Sequence, residues 1–181
     1  DSRVEGDPPV TPGYDDIAEV YDSLFTDEES LLENQAVFAM IGDMSGLSVL
    51  DVGCGTGLLL DYAQPASYLG IDPSEGMLRQ FARLHPENVV KATLAEYASG
   101  NGHAHFDLAV ALFGAASYLS AVELSTLKTL AGRVFAMFYK QGYTPVTYLR
   151  TGVFVEQEWS DPRCLGEPTA EIGNFVVVDT R

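Results

Sequence analysis

An apolar segment that runs directly into a glycine-rich turn constrains this chain more than any other feature of its sequence. Residues 49–57 read Val-Leu-Asp-Val-Gly-Cys-Gly-Thr-Gly, with glycine at every second position of the turn. Glycine permits a positive φ, and because it lacks a Cβ it lets a ligand lie against the backbone. The pattern therefore predicts a β-strand that ends at a ligand-binding loop.

The spacing of these glycines argues against two common nucleotide-binding loops. A dinucleotide fingerprint requires G-x-G-x-x-G, but counting from Gly53 puts Leu58 at the last position, and counting from Gly55 puts Leu60 there. No Gly-Lys-Ser/Thr follows, as a Walker A loop would require. The spacing therefore disfavours NAD and ATP as ligands.

Strand and helix patterns alternate through the middle of the chain. Apolar runs predict strands at residues 48–52, 68–71, 89–92, 106–112 and 134–139. Helical spacing predicts helices at residues 14–22, 30–41, from 57 onward, 74–84 with Pro73 in the first turn, and from the Ser120–Glu123 capping box to a terminating Gly132. This alternation specifies an α/β fold, a doubly wound parallel sheet with right-handed crossovers.

The tail of the chain has a different pattern. Residues 153–157 and 174–179 are strand candidates that can pair as an antiparallel edge, and residues 160–173 between them form a turn-rich segment. With 181 residues, the chain fits one domain. We divide it into an N-terminal arm with helices (1–45), a cofactor-binding core (46–140) and C-terminal strands (141–181).

The charge of the chain disfavours partners with phosphate backbones. Ten Lys and Arg against 26 Asp and Glu give a net charge of −16, which repels nucleic acids at long range, and Arg79 and Arg83 are the one close basic pair. No apolar run approaches the roughly 20 residues that span a bilayer, and residues 1–13 lack the features of a signal peptide. Cys54 and Cys164 are too few for a disulfide framework. We therefore expect a cytoplasmic protein; its oligomeric state stays open.

The Asp-x-Gly-x-Gly-x-Gly pattern after an apolar strand resembles the first motif of class I S-adenosylmethionine (SAM) dependent methyltransferases. The resemblance covers about residues 14–179 and is most specific between Val49 and Asp72. It implies a Rossmann-like, seven-stranded, mostly parallel sheet of order 3-2-1-4-5-7-6 with an antiparallel edge strand. It also implies SAM as cofactor and S-adenosylhomocysteine (SAH) as product.

Two acidic residues are the main candidates for polar contacts with such a cofactor. Asp51 at the end of the first strand can hold the positive charge of SAM, while Asp72, 21 residues later, ends the second strand, where an acid accepts hydrogen bonds from ribose hydroxyls. Asp72 can alternatively cap the following helix. The other predicted cofactor contacts come from the loop, the ends of strands two to four and an N-terminal Tyr-Asp-x-Ile-Ala-x-x-Tyr-Asp pattern that the resemblance places over the cofactor: Gly53, Cys54, Gly55, Gly57, Pro73, Thr93, Leu94, Leu112, Phe113, Tyr14 and Tyr21.

The acceptor side of the predicted site is less defined. Methyl transfer from a sulfonium can rely on positioning alone, and no catalytic residue is identified. Candidate acceptor-side groups are His103, His105, Tyr118 and Tyr139. Four aromatic residues either line an acceptor pocket or simply pack in the core: Tyr139, Tyr143, Tyr148 and Trp159. We predict no metal site, since no Cys or carboxylate cluster accompanies the two histidines. The expected function is methylation of a small-molecule acceptor; the alternatives are aminopropyl transfer and a non-catalytic SAM-binding regulatory or partner subunit.

Overall fold

Seven strands form one mixed sheet in the computed structural model, which describes residues 14–143 and 159–181. The strand order is β3-β2-β1-β4-β5-β7-β6, which confirms the predicted doubly wound topology. The first five strands pair in parallel, and β7 pairs antiparallel with both β5 and β6. The strands are β1 Ser48–Val52, β2 Ser67–Asp72, β3 Asn88–Lys91, β4 Phe106–Ala111, β5 Ala131–Tyr139, β6 Ala170–Ile172 and β7 Phe175–Asp179.

Helices cover both faces of the sheet because successive residues of its central strands are buried on opposite sides. In β1, Leu50 and Val52 join the core under α5 and α6, whereas Val49 joins the core under α2, α3 and α4. The helices are α1 Tyr14–Ile17, α2 Glu28–Ile41, α3 Leu58–Tyr62, α4 Glu75–Leu84, α5 Leu94–Gly100 and α6 Ala121–Leu130. None of the helices in the described ranges is long and apolar enough to cross a membrane.

Side-chain caps fix where several helices begin. The predicted capping box of Ser120 and Glu123 starts α6, and a second box, which our sequence analysis missed, starts α5 at Thr93. Ser74 caps α4 by accepting a hydrogen bond from the Met77 amide, so Pro73 precedes the cap rather than lying in the first helical turn. The carboxyl ends of β2 and β3 therefore lead into helix starts that are fixed by side-chain caps.

Three predicted element boundaries were wrong. The helix predicted for residues 14–22 breaks after α1 and resumes as a 3₁₀ turn at Tyr21–Phe25. Gly132 lies inside β5 and does not terminate α6, whose C-cap is Ala131. Strand β6 lies within residues 160–173, predicted as turns, and the proposed strand at residues 153–157 lies outside the described residues.

The edge of the sheet is attached by a half-buried ion pair. Arg133 of β5 donates to both carboxylate oxygens of Asp179 at 2.9 and 2.8 Å, and it also donates to the Ile41 carbonyl at 2.8 Å. A bidentate guanidinium–carboxylate pair combines two charge-assisted hydrogen bonds with a fixed geometry. This contact ties β7 and the end of α2 to the centre of the sheet.

Candidate cofactor site at the carboxyl ends of the parallel strands

The glycine loop crosses from the end of β1 to the end of β2. The amides of Gly53 and Cys54 both donate to the Ile71 carbonyl, at 2.8 and 3.1 Å. All three predicted loop glycines, Gly53, Gly55 and Gly57, have positive φ, at 70°, 55° and 91°. An L side chain is strained in this conformation, so the loop path depends on glycine.

The three glycines are needed for different reasons. A Cβ added at Gly53 would lie 2.9 Å from the Ala115 Cβ, and one at Gly57 would lie 2.6 Å from His85 and 2.9 Å from the ring of Phe81. At Gly55 the only close atom in the described structure is the flexible Met77 methyl, at 3.2 Å. Gly53 and Gly57 therefore allow packing within the protein, whereas Gly55 leaves its backbone open to a ligand.

Asp72 ends β2 beside this open glycine. One carboxylate oxygen accepts a hydrogen bond from the Gly55 amide at 2.9 Å, and the other accepts one from the Ser74 amide at 2.8 Å. Burial raises the pKa of Asp72, and these two backbone donors counteract the increase. Because Ser74 is the cap of α4, the interpretation of Asp72 as the helix cap is wrong. Pro73, also predicted as a contact, lies exposed between them.

Asp51 lies deeper than the sequence suggested. Its side chain is 3% exposed and accepts a hydrogen bond from the Tyr68 hydroxyl at 2.7 Å. Burial raises the pKa of Asp51 to about 7, the Tyr68 hydrogen bond opposes the increase, and the charge of Asp72 adds to it. Cys54 is buried beside this pair, and burial raises the pKa of its thiol. Sequence analysis missed Tyr68, although a tyrosine within an apolar strand is a signal for a buried hydroxyl partner.

The N-terminal segment, which we define as residues 14–25, lies over the start of α4 and the glycine loop. Asp15 accepts hydrogen bonds from the Ser74 hydroxyl at 2.7 Å and the Gly76 amide at 2.6 Å. Asp22 accepts one from the Thr56 hydroxyl at 2.6 Å. The sequence pattern singled out the tyrosines of this segment, but its two aspartates make the anchoring contacts.

The predicted tyrosines of this segment face the end of β4 and the end of β2. The Tyr14 hydroxyl lies 3.1 Å from that of Tyr118, in the 3₁₀ turn Ala115–Tyr118 that follows β4. Tyr14 also packs edge-on against Tyr21, with ring centroids 6.0 Å apart. Burial raises the pKa of Tyr21, and the nearby Tyr14 and Asp72 raise it further. The segment thus spans the carboxyl ends of both strands.

The residues predicted to contact the cofactor at the ends of strands three and four lie in different surroundings. Thr93 is exposed and its hydroxyl caps α5, while Leu94 is only 1% exposed and packs in the core under α5 and α6. Leu112 and Phe113 are half-buried after β4, and Phe113 adopts a φ of 50°, the one positive φ of a non-glycine residue in the described ranges. The side chain of Leu94 thus belongs to the core, whereas Phe113 lies at the strand end.

Aromatic rings lie together at the ends of β4 and β5. Three of the four residues that were predicted to line an aromatic pocket or to pack in the core are among them. The centroid of Tyr139 lies 5.0 Å from that of Trp159 and 5.6 Å from that of Tyr143, and Tyr118 lies 5.4 Å from Trp159. Phe175 of β7, which the sequence analysis missed, lies 5.5 Å from Tyr139. Tyr148 lies outside the described residues. We call Tyr118, Tyr139, Tyr143, Trp159 and Phe175 the aromatic cluster.

The two candidate histidines do not belong to this edge of the sheet. His103 and His105 are exposed in the connection from α5 to β4, at the amino end of β4. In a parallel sheet that end is opposite the carboxyl ends that hold the glycine loop, Asp72 and the aromatic cluster. Their assignment as acceptor-side groups was therefore wrong.

Comparisons with known proteins find a matching family model and several solved structures of similar fold. Residues 50–136 match a family model described as a methyltransferase domain. Similar folds include the magnesium protoporphyrin IX methyltransferase of Synechocystis PCC 6803 with bound SAH, at 16% identity over 89% of this chain and 92% of that one, with a TM-score of 0.57. They also include the CcbJ methyltransferase of Streptomyces caelestis, at 21% identity over 74% and 61%, with a TM-score of 0.56.

The chain spans only part of the length of other structures that it matches. It spans 60% of Streptomyces venezuelae DesVI, at 20% identity over 70% of this chain with a TM-score of 0.54, and 52% of a Mesorhizobium loti methyltransferase. A search of curated proteins finds no significant match. The likenesses to the Synechocystis, S. caelestis and S. venezuelae structures show the fold of the chain.

Proposed function

From the methyltransferase-domain match over residues 50–136 and the strand order of the sheet, we propose that the chain is a class I SAM-dependent methyltransferase that transfers the methyl group of SAM to a small-molecule acceptor. The observation that carries the proposal is the contact between Asp72 and the Gly55 amide at 2.9 Å. It places a carboxylate and an open backbone side by side where β1 and β2 end. Ligands of doubly wound sheets bind at such strand ends.

The residues present suit the chemistry of SAM. A cofactor with a cationic ammonium and a ribose needs an anion, hydrogen-bond acceptors and room against the backbone. Asp51 supplies a buried carboxyl group, Asp72 supplies the acceptor for ribose hydroxyls, and Gly55 supplies the open backbone. A pyrophosphate beside Asp51 would be repelled whenever that carboxyl group is ionised, which agrees with the disfavoured NAD and ATP.

The protein's contribution to the reaction is positioning. Bound SAM supplies an electrophilic methyl group on a sulfonium, which is already a good leaving group. The N-terminal segment is anchored to the start of α4 through Asp15 and to the glycine loop through Asp22, which fixes it beside the proposed cofactor. The aromatic cluster holds the acceptor beside the loop, and orientation of this kind supplies a large part of a rate enhancement.

A small organic acceptor is the class that the surroundings of the cluster favour. The cluster presents flat rings and tyrosine hydroxyls, which bind planar or apolar molecules with a few polar groups. The net charge of −16 disfavours nucleic acid, whose binding relies on Lys and Arg contacts to phosphates.

Incubation of the protein with methyl-labelled SAM and a metabolite extract tests this function. The proposal predicts a labelled small-molecule product that disappears when Gly55→Val replaces the parent protein. Tight SAM binding without a labelled product would instead support a non-catalytic SAM-binding subunit. Label recovered in methylthioadenosine, with none on an acceptor, would support the aminopropyltransferase alternative, because that transfer leaves the methyl group on sulfur.

A further inference from the structure

Asp51 and Tyr68 form a buried pair between neighbouring strands, beneath the glycine loop. In the register of β1 and β2, Val49 pairs with Tyr68 and Asp51 pairs with Gly70. Alternation along β1 puts Val49 and Asp51 on the same face, so Tyr68 reaches Asp51 diagonally, at 2.7 Å. The two side chains are 3% and 9% exposed. Water therefore has little access to this hydrogen bond.

The space for this pair depends on a glycine. A Cβ at Gly70 would lie 2.8 Å from the Cys54 sulfur and 2.9 Å from the Tyr68 hydroxyl. Any larger residue opposite Asp51 would displace the phenol or the thiol. The strand thus accommodates the polar pair at a position where apolar residues would stabilise the core better.

Among the residues that the structure describes, no neighbouring cation compensates the Asp51 carboxylate. Its titratable neighbours are Tyr68 from β2, Asp72 from the end of β2 and Cys54 from the glycine loop. None of the salt bridges within the described ranges includes Asp51. The Tyr68 hydroxyl is the group that favours the anion, and the pKa of Asp51 near 7 leaves the carboxyl about half protonated at neutral pH.

We propose that Tyr68 is a positioning residue that sets the ionisation of Asp51, and that binding of a cationic cofactor at the glycine loop releases the Asp51 proton to solvent. The inference rests on the proposed function, because it takes the ammonium group of SAM or SAH as the cation. A positive charge near a carboxyl favours its ionised form. Cofactor affinity and proton release are therefore linked, and Tyr68 adjusts both.

Calorimetric titration with SAH at pH 7, in two buffers of different ionisation enthalpy, measures the protons released. The parent protein should release about half a proton, because Asp51 is then about half ionised before binding. Tyr68→Phe removes the hydrogen-bond donor, raises the pKa of Asp51 and should bring the release toward one proton. Its affinity for SAH should be about fivefold weaker than that of the parent at pH 7, and this difference should disappear by pH 9. Asp51→Asn is the matched control and should show no proton release from this site.

Equal proton release and equal pH profiles in the parent and Tyr68→Phe would overturn the proposal. Absence of SAH binding in the parent would instead refute the proposed function, so the two failures are distinguishable. A second measurement covers the case in which Tyr68→Phe fails to fold: carboxyl ¹³C shifts of the ligand-free parent should show Asp51 titrating near pH 7. A midpoint near the ordinary value, about 4, would also overturn the proposal.

Discussion

The two halves of the sheet edge are built in different ways. At β1 and β2, the candidate cofactor half uses backbone groups and short side chains from two nearby stretches, residues 51–57 and 72–76. At β4 and β5, the candidate acceptor half consists of large side chains from distant parts of the chain, those of the aromatic cluster: Tyr118, Tyr139, Tyr143, Trp159 and Phe175. Local backbone conformation therefore determines the structure of the cofactor half, whereas contacts between distant parts of the chain form the acceptor half.

The largest expected effect is a loss of stability that differs between two glycines of the cofactor half. Gly57→Ala places a Cβ against the rings of Phe81 and His85, and should lower the free energy of unfolding by about 2–5 kcal/mol through left-handed strain and overpacking. Gly55→Ala meets only the movable Met77 methyl, and should lower it by about 1–2 kcal/mol. Urea denaturation of both variants measures the difference. Equal losses would mean that the loop glycines share one structural role.

The next prediction concerns the buried charge of the cofactor half. The pKa of Asp51 is raised in the folded protein to about 7 from an ordinary 3.8, so its contribution to stability is full below about pH 4 and is lost as the pH rises through 7. Asp51→Asn removes this loss and should be the more stable protein at pH 8, by at most about 4 kcal/mol.

Thermal unfolding of the parent and Asp51→Asn across pH 4–9 checks the sign of this effect. The stability difference should grow with pH and vanish near pH 4, while SAH binding at pH 8 is weaker in the variant. A constant difference across this range would show that Asp51 does not titrate in the folded protein.

A smaller effect is expected when the ribose acceptor is removed. Asp72→Ala loses its contacts with the Gly55 and Ser74 amides and the hydrogen bonds proposed for the ribose, and should weaken SAM binding about tenfold to a hundredfold. Ser120→Ala is the control, because it removes the cap of α6 and should cost about 1 kcal/mol of stability while affinity changes less than about twofold. Calorimetry and denaturation separate the two; equal affinity losses would assign Asp72 a structural role only.

The smallest effect belongs to the acceptor half. Tyr118→Phe removes the hydroxyl that lies 3.1 Å from that of Tyr14 and keeps the ring in the aromatic cluster. A single hydrogen bond of this kind is worth about 1 kcal/mol, so stability should fall by that amount at most, and SAM affinity should change less than about threefold. A loss of SAM affinity as large as that of Asp72→Ala would show that the two halves are not separate.

The same contrast explains what the sequence could predict. The five parallel strands and the glycine loop follow from local signals, namely apolar runs and glycine spacing, as does the start of α6 from the box of Ser120 and Glu123. The strand order followed from the family resemblance. Asp15 and Tyr68 were missed because each acts on a residue 59 or 17 positions away, and no short-range pattern marks such partners. His103 was misplaced although its position directly before the predicted strand 106–112 already puts it at the amino end of that strand, opposite the glycine loop.

Calorimetric titration of the parent protein with SAM, SAH, NAD and ATP under one set of conditions tests the central claim most directly. The open backbone at Gly55 and the two carboxylates at the ends of β1 and β2 predict binding of SAM and SAH, with no measurable binding of NAD or ATP. Binding of NAD with no heat from SAM would contradict the account.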